Sequence, residues 1–296
     1  MRKKQSRLIC LVLGLAAFLA AGPGSEAAHA EPPRRIVSLT VCTDQLLLDL
    51  VARERIAALT YLAVDPTVSL RVEEARGLKG VHWMAEEVLA LQPDLIIAQE
   101  YSATAAVDLL RRLGFHVVFV PLATDFEGMR QAIRIMADAV GDKPRGEAMI
   151  AAFDERLATA RPEGPERPRA LAYDVNSYAS DGGSLVDAAL AAAGFHNMAR
   201  DVPLGPGGRL PLEEVIADPP DLIVLPNTPK DFKSIVGDNL RHPAFASLLA
   251  SHAHIELPMP QWLCATPKIV EAVEELGAKR RALLDANVPP EKVPHE

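Results

Sequence analysis

The feature that most limits the possible folds of this chain is a segment that occurs twice. Residues 86–98 read EEVLALQPDLIIA and residues 213–225 read EEVIADPPDLIVL, so eight of thirteen positions are identical at an offset of 127 residues. In each copy, paired glutamates begin a short helix, a proline ends it, and an aliphatic run follows as a buried strand. A helix–strand unit repeated in this way predicts two lobes of similar construction.

The sequence around both copies alternates between predicted strands and predicted helices, which favours parallel sheets covered by helices. The fold class predicted is therefore α/β, with two Rossmann-like lobes. In the first half, strands are predicted at residues 35–40, 55–60, 94–98 and 116–120, and helices at 42–51, 102–113 and 125–140. In the second half, strands are predicted at 169–174, 221–225 and 254–257, and helices at 184–193, 211–217, 243–250 and 266–284.

The segment between the two halves is predicted to be one long helix. Ala148, Ile150, Phe153 and Leu157 recur at helical spacing, and a proline-rich break follows at residues 161–168. A flexible linker would contain more glycine and serine and no amphipathic pattern. The predicted organisation is a leader at 1–30, an N-terminal α/β lobe at 34–141, a connecting helix at 142–162, a C-terminal α/β lobe at 167–286 and a tail at 287–296.

The N-terminus has the pattern of a secretory signal peptide. Four basic residues precede an apolar run from Leu8 to Ala21, and an A-x-A cleavage site ends at Ala30. The apolar run of about 14 residues is shorter than the ~20 that span a bilayer as a helix. We therefore expect a cleaved leader and a periplasmic mature protein, with an uncleaved anchor as the alternative.

Composition excludes several classes of function. Without residues 1–30, the chain keeps 27 basic against 38 acidic residues, a net charge of −11, which argues against nucleic acid or an anionic membrane as partner. The sequence contains no G-x-S-x-G elbow, no phosphate loop, no H-E-x-x-H and no C-x-x-C. An enzyme is therefore not expected.

Two cysteines remain in the predicted mature chain, Cys42 and Cys264. Each follows a predicted strand, one in each half, and the predicted compartment is oxidising. We predict a disulfide between them that ties the lobes together, with two free buried cysteines as the alternative.

Aromatic side chains concentrate where the predicted strands end. Ligands of open α/β sheets bind beyond the carboxyl ends of the strands, and flat apolar ligands are held by rigid aromatic rings. The alternative is that these rings pack on neighbouring loops. The strand-end candidates are Thr43, Tyr61, Tyr101, Tyr178 and Trp262, and beside them Val41, Gln99, Glu100, Asn176, Ser177, Asn227, Thr228 and Gln261.

With these marks the chain resembles the periplasmic binding proteins that serve cobalamin, iron-siderophore and haem importers. The resemblance is carried by the leader, the opening RRIVSLTVCTDQLLLDL, the unit EEVLALQPDLII with its second copy, and the single connecting helix. It covers residues 34–286. It implies two lobes facing each other across a shallow cleft, a helix that limits closure, and no chemistry on the ligand. It also implies a pocket aromatic at Trp83.

The resemblance further implies a function and two partners. The ligand is expected to be a metal chelate. The aromatic loop ends, and the lack of an arginine-rich set at the strand ends, favour cobalamin or another corrinoid over a ferric siderophore or haem. No resident cofactor is expected, because the cobalt or iron belongs to the ligand. A monomer is expected to deliver this chelate to an inner-membrane ABC permease. Glu86 and Glu213 match the glutamates that meet permease arginines, whereas the alternative assigns both to favourable first-turn charges.

Three histidines carry the competing hypotheses of a free-metal binder or an enzyme. His82 precedes Trp83 and is either an axial ligand to cobalt or iron or an ordinary solvated side chain. His252 and His254 lie two residues apart, but two ligands without a third make a weak metal site. No metal ligands are therefore assigned.

Overall fold

The structure of the chain is a computed structural model. Within the residues that it describes, no helix is both long enough and apolar enough to cross a membrane. The described residues are 31–100, 104–226 and 238–287. Outside these ranges lie the predicted leader at 1–30, the candidates Tyr101, Asn227 and Thr228, and residues 288–296 of the predicted tail.

The first lobe is built on a sheet of five parallel strands. They are β1 (Ile36–Ser38), β2 (Ile56–Thr60), β3 (Gly80–Val81), β4 (Leu95–Gln99) and β5 (Val117–Val120). The strand order is β3-β2-β1-β4-β5. The central strands β1 and β4 are buried almost throughout, as their unbroken aliphatic runs predict. The helices of this lobe are α1 (Val41–Leu50), α2 (Val72–Ala75), α3 (Ala85–Leu89), α4 (Thr104–Arg112) and α5 (Phe126–Ala139).

One 18-residue helix, α6 (Lys143–Ala160), connects the lobes. Asp142 caps its start by accepting a hydrogen bond from the Arg145 N–H at 3.1 Å, and a proline occupies its first turn. Ile150 and Phe153 on one face of the helix are buried. The amphipathic pattern of the sequence therefore corresponds to a helix packed on both lobes.

The second lobe repeats this construction with four parallel strands. They are β6 (Arg169–Ala172), β7 (His196–Asn197), β8 (Leu222–Pro226) and β9 (Ala253–Leu257), in the order β7-β6-β8-β9. The prediction of two parallel-sheet α/β lobes joined by one helix is confirmed. The helices of this lobe are α7 (Leu185–Ala192), α8 (Leu212–Ala217), α9 (Asp238–Arg241), α10 (Pro243–Ser251), α11 (Met259–Leu263) and α12 (Ile269–Asn287).

Each lobe has a hydrophobic cluster of its own, and a third cluster runs through both lobes. It contains Ile36 and Leu95 of the first sheet, Phe153 of α6, Leu222 of the second sheet and Val273 of α12. The lobes and α6 accordingly form one compact unit. Because a close-packed core resists deformation, large movements of one lobe against the other would disrupt these contacts.

The repeated aspartate has the same structural role in each lobe. Asp94 accepts hydrogen bonds from the backbone N–H groups of Arg34 and Arg35, at 2.6 and 2.9 Å, at the start of β1. Asp221 accepts one from the N–H of Arg169 at 2.7 Å, at the start of β6. In both lobes, the strand of the repeat is thus fastened to the first strand at the amino-terminal edge of the sheet.

A buried arginine on α12 fastens the second lobe to the end of α6. The Arg280 guanidinium donates to the carbonyls of Gly194 at 3.2 Å, Glu163 at 3.2 Å and Glu166 at 2.7 Å. Its exposed fraction is 2%. Since buried charges are tolerated when their donors are satisfied, the three carbonyls explain its position.

Five short elements were not predicted from the sequence, among them the four-residue helices α2 and α9. The strands β3 and β7 have two residues each, too few to show any periodicity. The helix α11 occupies the stretch that was expected to be a loop after the last strand. Elsewhere the observed elements agree with the predicted ones to within a few residues at their ends.

Candidate functional site

A cavity of about 400 Å³ lies between the two lobes, at the carboxyl ends of the strands. Cavities of this size with mostly apolar linings suit small organic ligands. The first lobe contributes Leu122, Ala123 and Thr124, which follow β5. The second lobe contributes Ala172, Tyr173, Asp174, Tyr178, Ser180, Ser184, Leu185, Val186, Val224, Pro226, Met259, Trp262 and Leu263.

Tyr178 lines this cavity with 42% of its surface exposed. The backbone before it has positive φ at Asn176 and Ser177, +59° and +58°, which is unfavourable for residues with a side chain. Gly208 passes directly beneath the ring, where an added Cβ would lie 2.8 Å from Tyr178 Cε2. A side chain at position 208, where φ is +74°, would be strained and would force the Tyr178 ring to move.

Trp262 lines the same cavity from α11 and is almost completely buried. The neighbouring candidate Gln261 donates from Nε2 to Glu275 on α12 at 3.0 Å. The predicted strand-end position thus holds for Trp262, although a helical turn instead of a loop carries it. The side-chain amide of Gln261 therefore has a hydrogen-bond partner within the protein.

Asp174 supplies a carboxyl group to this largely apolar cavity. It follows β6 and accepts a hydrogen bond from the Val175 N–H at 2.5 Å. Burial raises the pKa of Asp174, and the Val175 hydrogen bond opposes that rise. A ligand amide or hydroxyl could therefore find a hydrogen-bond partner on an otherwise apolar wall.

Three aromatic side chains form a second group, on the first lobe only. The rings of Tyr61 and His82 are stacked with centroids 4.8 Å apart, and Trp83 meets Tyr61 edge-on at 5.3 Å. Trp83 Nε1 donates to the Leu39 carbonyl at 2.8 Å, which holds the ring over the end of β1. We call Tyr61, His82 and Trp83 the aromatic cluster.

The aromatic cluster and the cavity occupy different parts of the strand ends. The cluster follows β2 and β3, whereas the residues of the first lobe that line the cavity follow β5. Through the hydrogen bond of Trp83 to Leu39 the cluster also reaches the end of β1, which is two strands away from β5 in the sheet. The structure thus brings Tyr178 and Trp262 together in one place and Tyr61 and Trp83 in another.

A buried carboxyl group lies beneath the aromatic cluster. Asp44 on α1 is completely buried and accepts hydrogen bonds from Thr60 N–H at 3.1 Å and Thr60 Oγ1 at 2.5 Å. Burial raises the pKa of Asp44 to about 8, although hydrogen bonds from Ser38 and Thr60 act in the opposite direction. Asp44 is therefore protonated in the folded protein at neutral pH, and it anchors the residue that precedes Tyr61.

This pKa makes stability depend on pH in a definite direction. The folded protein binds the Asp44 proton more tightly than the unfolded chain, so its contribution is full below about pH 4 and is lost as pH rises through 8. Relative to Asp44→Asn, the wild type should lose about 1.4 kcal/mol of unfolding free energy per pH unit between pH 5 and 7. Urea unfolding of both proteins at each pH measures this difference. If the free energy of unfolding depended on pH equally in both proteins, the prediction would be contradicted.

Thr43 lies in the interior of the first lobe. Its exposed fraction is 1%, and its Oγ1 lies 2.8 Å from both Ser38 Oγ and Thr40 Oγ1. These hydroxyls bond one another at the start of α1. The candidate is thus placed under the strand ends, and direct contact with a ligand stays a prediction.

The two cysteines meet between the lobes. Cys42 in the first turn of α1 is joined to Cys264 at the end of α11 by a disulfide, with Cα atoms 5.1 Å apart. The bond closes a loop across 222 positions of sequence. It ties the first lobe to the segment that carries Trp262.

Glu86 and Glu213 occupy equivalent, exposed positions in the two lobes. Each lies in the first turn of its repeat helix, α3 or α8. Among the described residues, neither carboxylate has a hydrogen-bond or ion-pair partner, whereas the adjacent Glu87 is bonded to His82. Both groups are thus available to a partner, and the docking role stays a prediction.

The two candidate histidines of the second lobe lie close to backbone carbonyls. His252 Nδ1 lies 3.2 Å from the Leu248 carbonyl, and His254 Nδ1 lies 3.3 Å from the His252 carbonyl. No group of three or more histidine, cysteine, aspartate or glutamate side chains able to hold a metal ion occurs in the described part of the chain.

Sequence reasoning missed the first lobe's contribution to the cavity. Leu122, Ala123 and Thr124 directly follow the predicted strand at 116–120, so the strand-end rule would have found them. The predicted strand at 169–174 extends two residues beyond β6 and so includes Asp174, which belongs to the loop. The strand-end rule applied to the sequence would thus have found the three residues of the first lobe and Asp174.

Comparison with known protein sequences found one family model and a curated relative that match this chain. A family model described as "Periplasmic binding protein" matches residues 36–251. A protein of Halobacterium salinarum named "Cobalamin-binding protein" is 27% identical over 201 residues, which are 65% of this chain and 53% of that protein. This chain therefore spans about half the length of that curated relative.

Two solved structures are similar over most of their length. The periplasmic heme-binding protein RhuT from Roseiflexus sp. RS-1, in apo form, has a TM-score of 0.69 at 24% identity, covering 84% of this chain and 98% of that one. The periplasmic vitamin B12-binding protein BtuF of Vibrio cholerae has a TM-score of 0.63 at 17% identity, covering 86% and 98%. At these identities the likeness is one of fold.

Proposed function

Because this chain belongs to the periplasmic binding protein family, we propose that it captures cobalamin or another corrinoid in the periplasm and delivers it to an ABC permease. The leader predicted at residues 1–30 would direct it there. The observation that carries the proposal is the set of aromatic side chains at the strand ends of both lobes, Tyr61 and Trp83 on one and Tyr178 and Trp262 on the other. Rigid rings of this kind suit the broad apolar faces of a corrin.

The competing ligands are haem and ferric siderophores. The RhuT structure supports haem, since that protein is described as heme-binding, whereas the Halobacterium protein supports cobalamin. Family members are binding proteins, and the expectation that this chain catalyses no reaction stays a prediction. Consumption of a bound chelate would contradict it.

Titration of the purified mature protein tests the ligand. The chain has two tryptophans, Trp83 and Trp262, one in each lobe, so fluorescence reports on both. Cyanocobalamin should quench this fluorescence at micromolar or lower concentration. Ferric haem and a ferric hydroxamate should act only at higher concentration. Quenching by one of these two alone would identify that class of ligand and contradict the corrinoid assignment.

Variants then locate the binding surface. Tyr61→Ala and Tyr178→Ala should each weaken binding by at least about tenfold, since burying an aromatic side chain contributes about 1.5–3 kcal/mol. Leu113→Ala is the matched control, because it removes an exposed apolar side chain just before β5, at the opposite edge of the sheet. Equal affinities for all three variants would place the ligand elsewhere.

A further inference from the structure

The disulfide between Cys42 and Cys264 lies next to the cavity between the lobes. A small crevice of about 20 Å³ beside Cys42 is also lined by Leu122, Ala123 and Leu263, and these three residues line the cavity as well. Leu122 and Ala123 follow β5 in the first lobe, whereas Leu263 belongs to α11 in the second. The bond therefore joins the two lobes close to the place where their walls of the cavity meet.

The helix α11, which carries Trp262 and Leu263, is held by its own lobe. The side-chain amide of Gln261 donates to Glu275 on α12 at 3.0 Å, and Trp262 packs in the same hydrophobic cluster as the buried face of α12. The position of α11 within the second lobe is thus fixed without the disulfide. The disulfide adds a connection from this wall of the cavity to α1 of the first lobe, through Cys42.

Other connections between the lobes run through α6. The guanidinium of Arg156 on α6 pairs with Glu274 on α12 at 2.7 Å, and Phe153 of α6 contributes to the shared hydrophobic cluster. A connection along one helix leaves the lobes free to make small rocking movements about it. A covalent bond at a second place, between α1 and α11, removes this freedom.

Building on the proposed function, we infer that the disulfide between Cys42 and Cys264 positions the two walls of the ligand site, so that ligand affinity depends on its redox state. With the bond intact, Leu122 and Trp262 face the ligand at one fixed separation. With two thiols, the walls sample wider separations, and only the fraction of molecules at the bound separation can bind. The apparent Kd rises by the inverse of that fraction, so a competent fraction of about one tenth weakens binding about tenfold.

The first test titrates cyanocobalamin into the oxidised mature protein and the Cys42→Ser, Cys264→Ser double variant. The double variant should bind about tenfold more weakly. Asp94→Ala is the matched control, because it removes the hydrogen bonds that fasten β1 at the sheet edge opposite the cavity, and it should bind as the wild type does. Equal affinity of the double variant and the wild type would overturn the inference. An equal loss in Asp94→Ala would also overturn it, since the loss would then follow stability.

Distances between the lobes test the inference with the bond intact. Nitroxide labels on Glu86→Cys and Glu213→Cys occupy equivalent, exposed positions of the two lobes. In the oxidised protein, pulsed electron paramagnetic resonance should give a narrow distance distribution that cyanocobalamin leaves unchanged. Without the disulfide, the distribution should broaden and become narrow again when the ligand binds. A broad distribution in the oxidised protein, or an equally narrow one without the bond, would overturn the positioning role.

Reciprocity provides a test on the wild type alone. If the disulfide tightens binding tenfold, bound ligand favours the disulfide over the two thiols by the same factor. In a dithiothreitol redox buffer, reduction converts the disulfide to two thiols, and the dithiol becomes its cyclic disulfide as it gives up two electrons and two protons. Saturating cyanocobalamin should therefore lower the midpoint potential by about 30 mV. An unchanged or raised midpoint would contradict the coupling.

The outcomes distinguish this inference from the proposed function. Equal binding of cyanocobalamin with and without the disulfide would overturn the positioning role and leave the proposed function standing. Failure of the oxidised wild type to bind cyanocobalamin would overturn both. Weaker binding without the bond, with a broader distance distribution and a lowered midpoint in the presence of ligand, supports both.

Discussion

Loss of the disulfide between Cys42 and Cys264 should lower the free energy of unfolding by about 5 kcal/mol. The bond closes a loop across 222 sequence positions, and the chain-entropy model assigns this value to loops of that length. The effect acts on the unfolded chain, which gains conformational freedom once the bond is gone. Guanidinium unfolding of the oxidised protein, the reduced protein and the Cys42→Ser, Cys264→Ser double variant measures it.

The double variant is its own control for the reductant, since reducing agent should leave its unfolding curve unchanged. Thiol labelling of the denatured, unreduced mature protein should find no reactive cysteine. Two reactive thiols per chain would show that the bond is absent, and equal stability of all three proteins would contradict the entropic estimate.

Reversal of charge at both Glu86 and Glu213 should abolish uptake of the ligand and leave its binding intact. If each carboxylate meets an arginine of the permease, reversal sets like charges against each other, which costs several kcal/mol per site. The affinity loss expected for docking is then at least about 100-fold. Uptake of labelled ligand into cells or vesicles containing the permease, together with a binding titration of each variant, measures both effects.

Glu214→Arg is the matched control for this experiment. Glu214 is also exposed and also lies in the first turn of α8, so its reversal changes the helix-terminal charge in the same way. Transport should survive in that variant. Equal transport by the control and the double variant would leave only the helix-dipole role for Glu86 and Glu213.

Much of the fold could be predicted because its elements are encoded locally. The run Leu95–Gln99 is aliphatic and buried, and its copy at Leu222–Pro226 has the same character. The pairing of strands follows from the parallel connection rules once these runs are recognised. Arg280 could not be predicted, because it reads as a surface residue in a charged helix while its carbonyl partners lie 86 to 117 positions away.

Less of the candidate site than of the fold could be predicted from the sequence. Thr43 and Tyr178 both belong to segments that follow strands, yet the first is buried against Ser38 and the second lines the cavity. The direction of a side chain at a strand end depends on packing between distant segments, which no local pattern encodes. The stacking of His82 on Tyr61 depends on β3, which is too short to be recognised.

The hydrogen bonds of Asp94 and Asp221 have a consequence for how such a protein can diversify. Both lie at the amino-terminal edges of the two sheets, whereas the cavity and the aromatic cluster lie at the opposite edges. Mutations that alter ligand preference therefore fall far from the bonds that fasten the strands. A lineage can exchange one chelate for another by changing loop residues, while selection for folding acts on a separate set of positions.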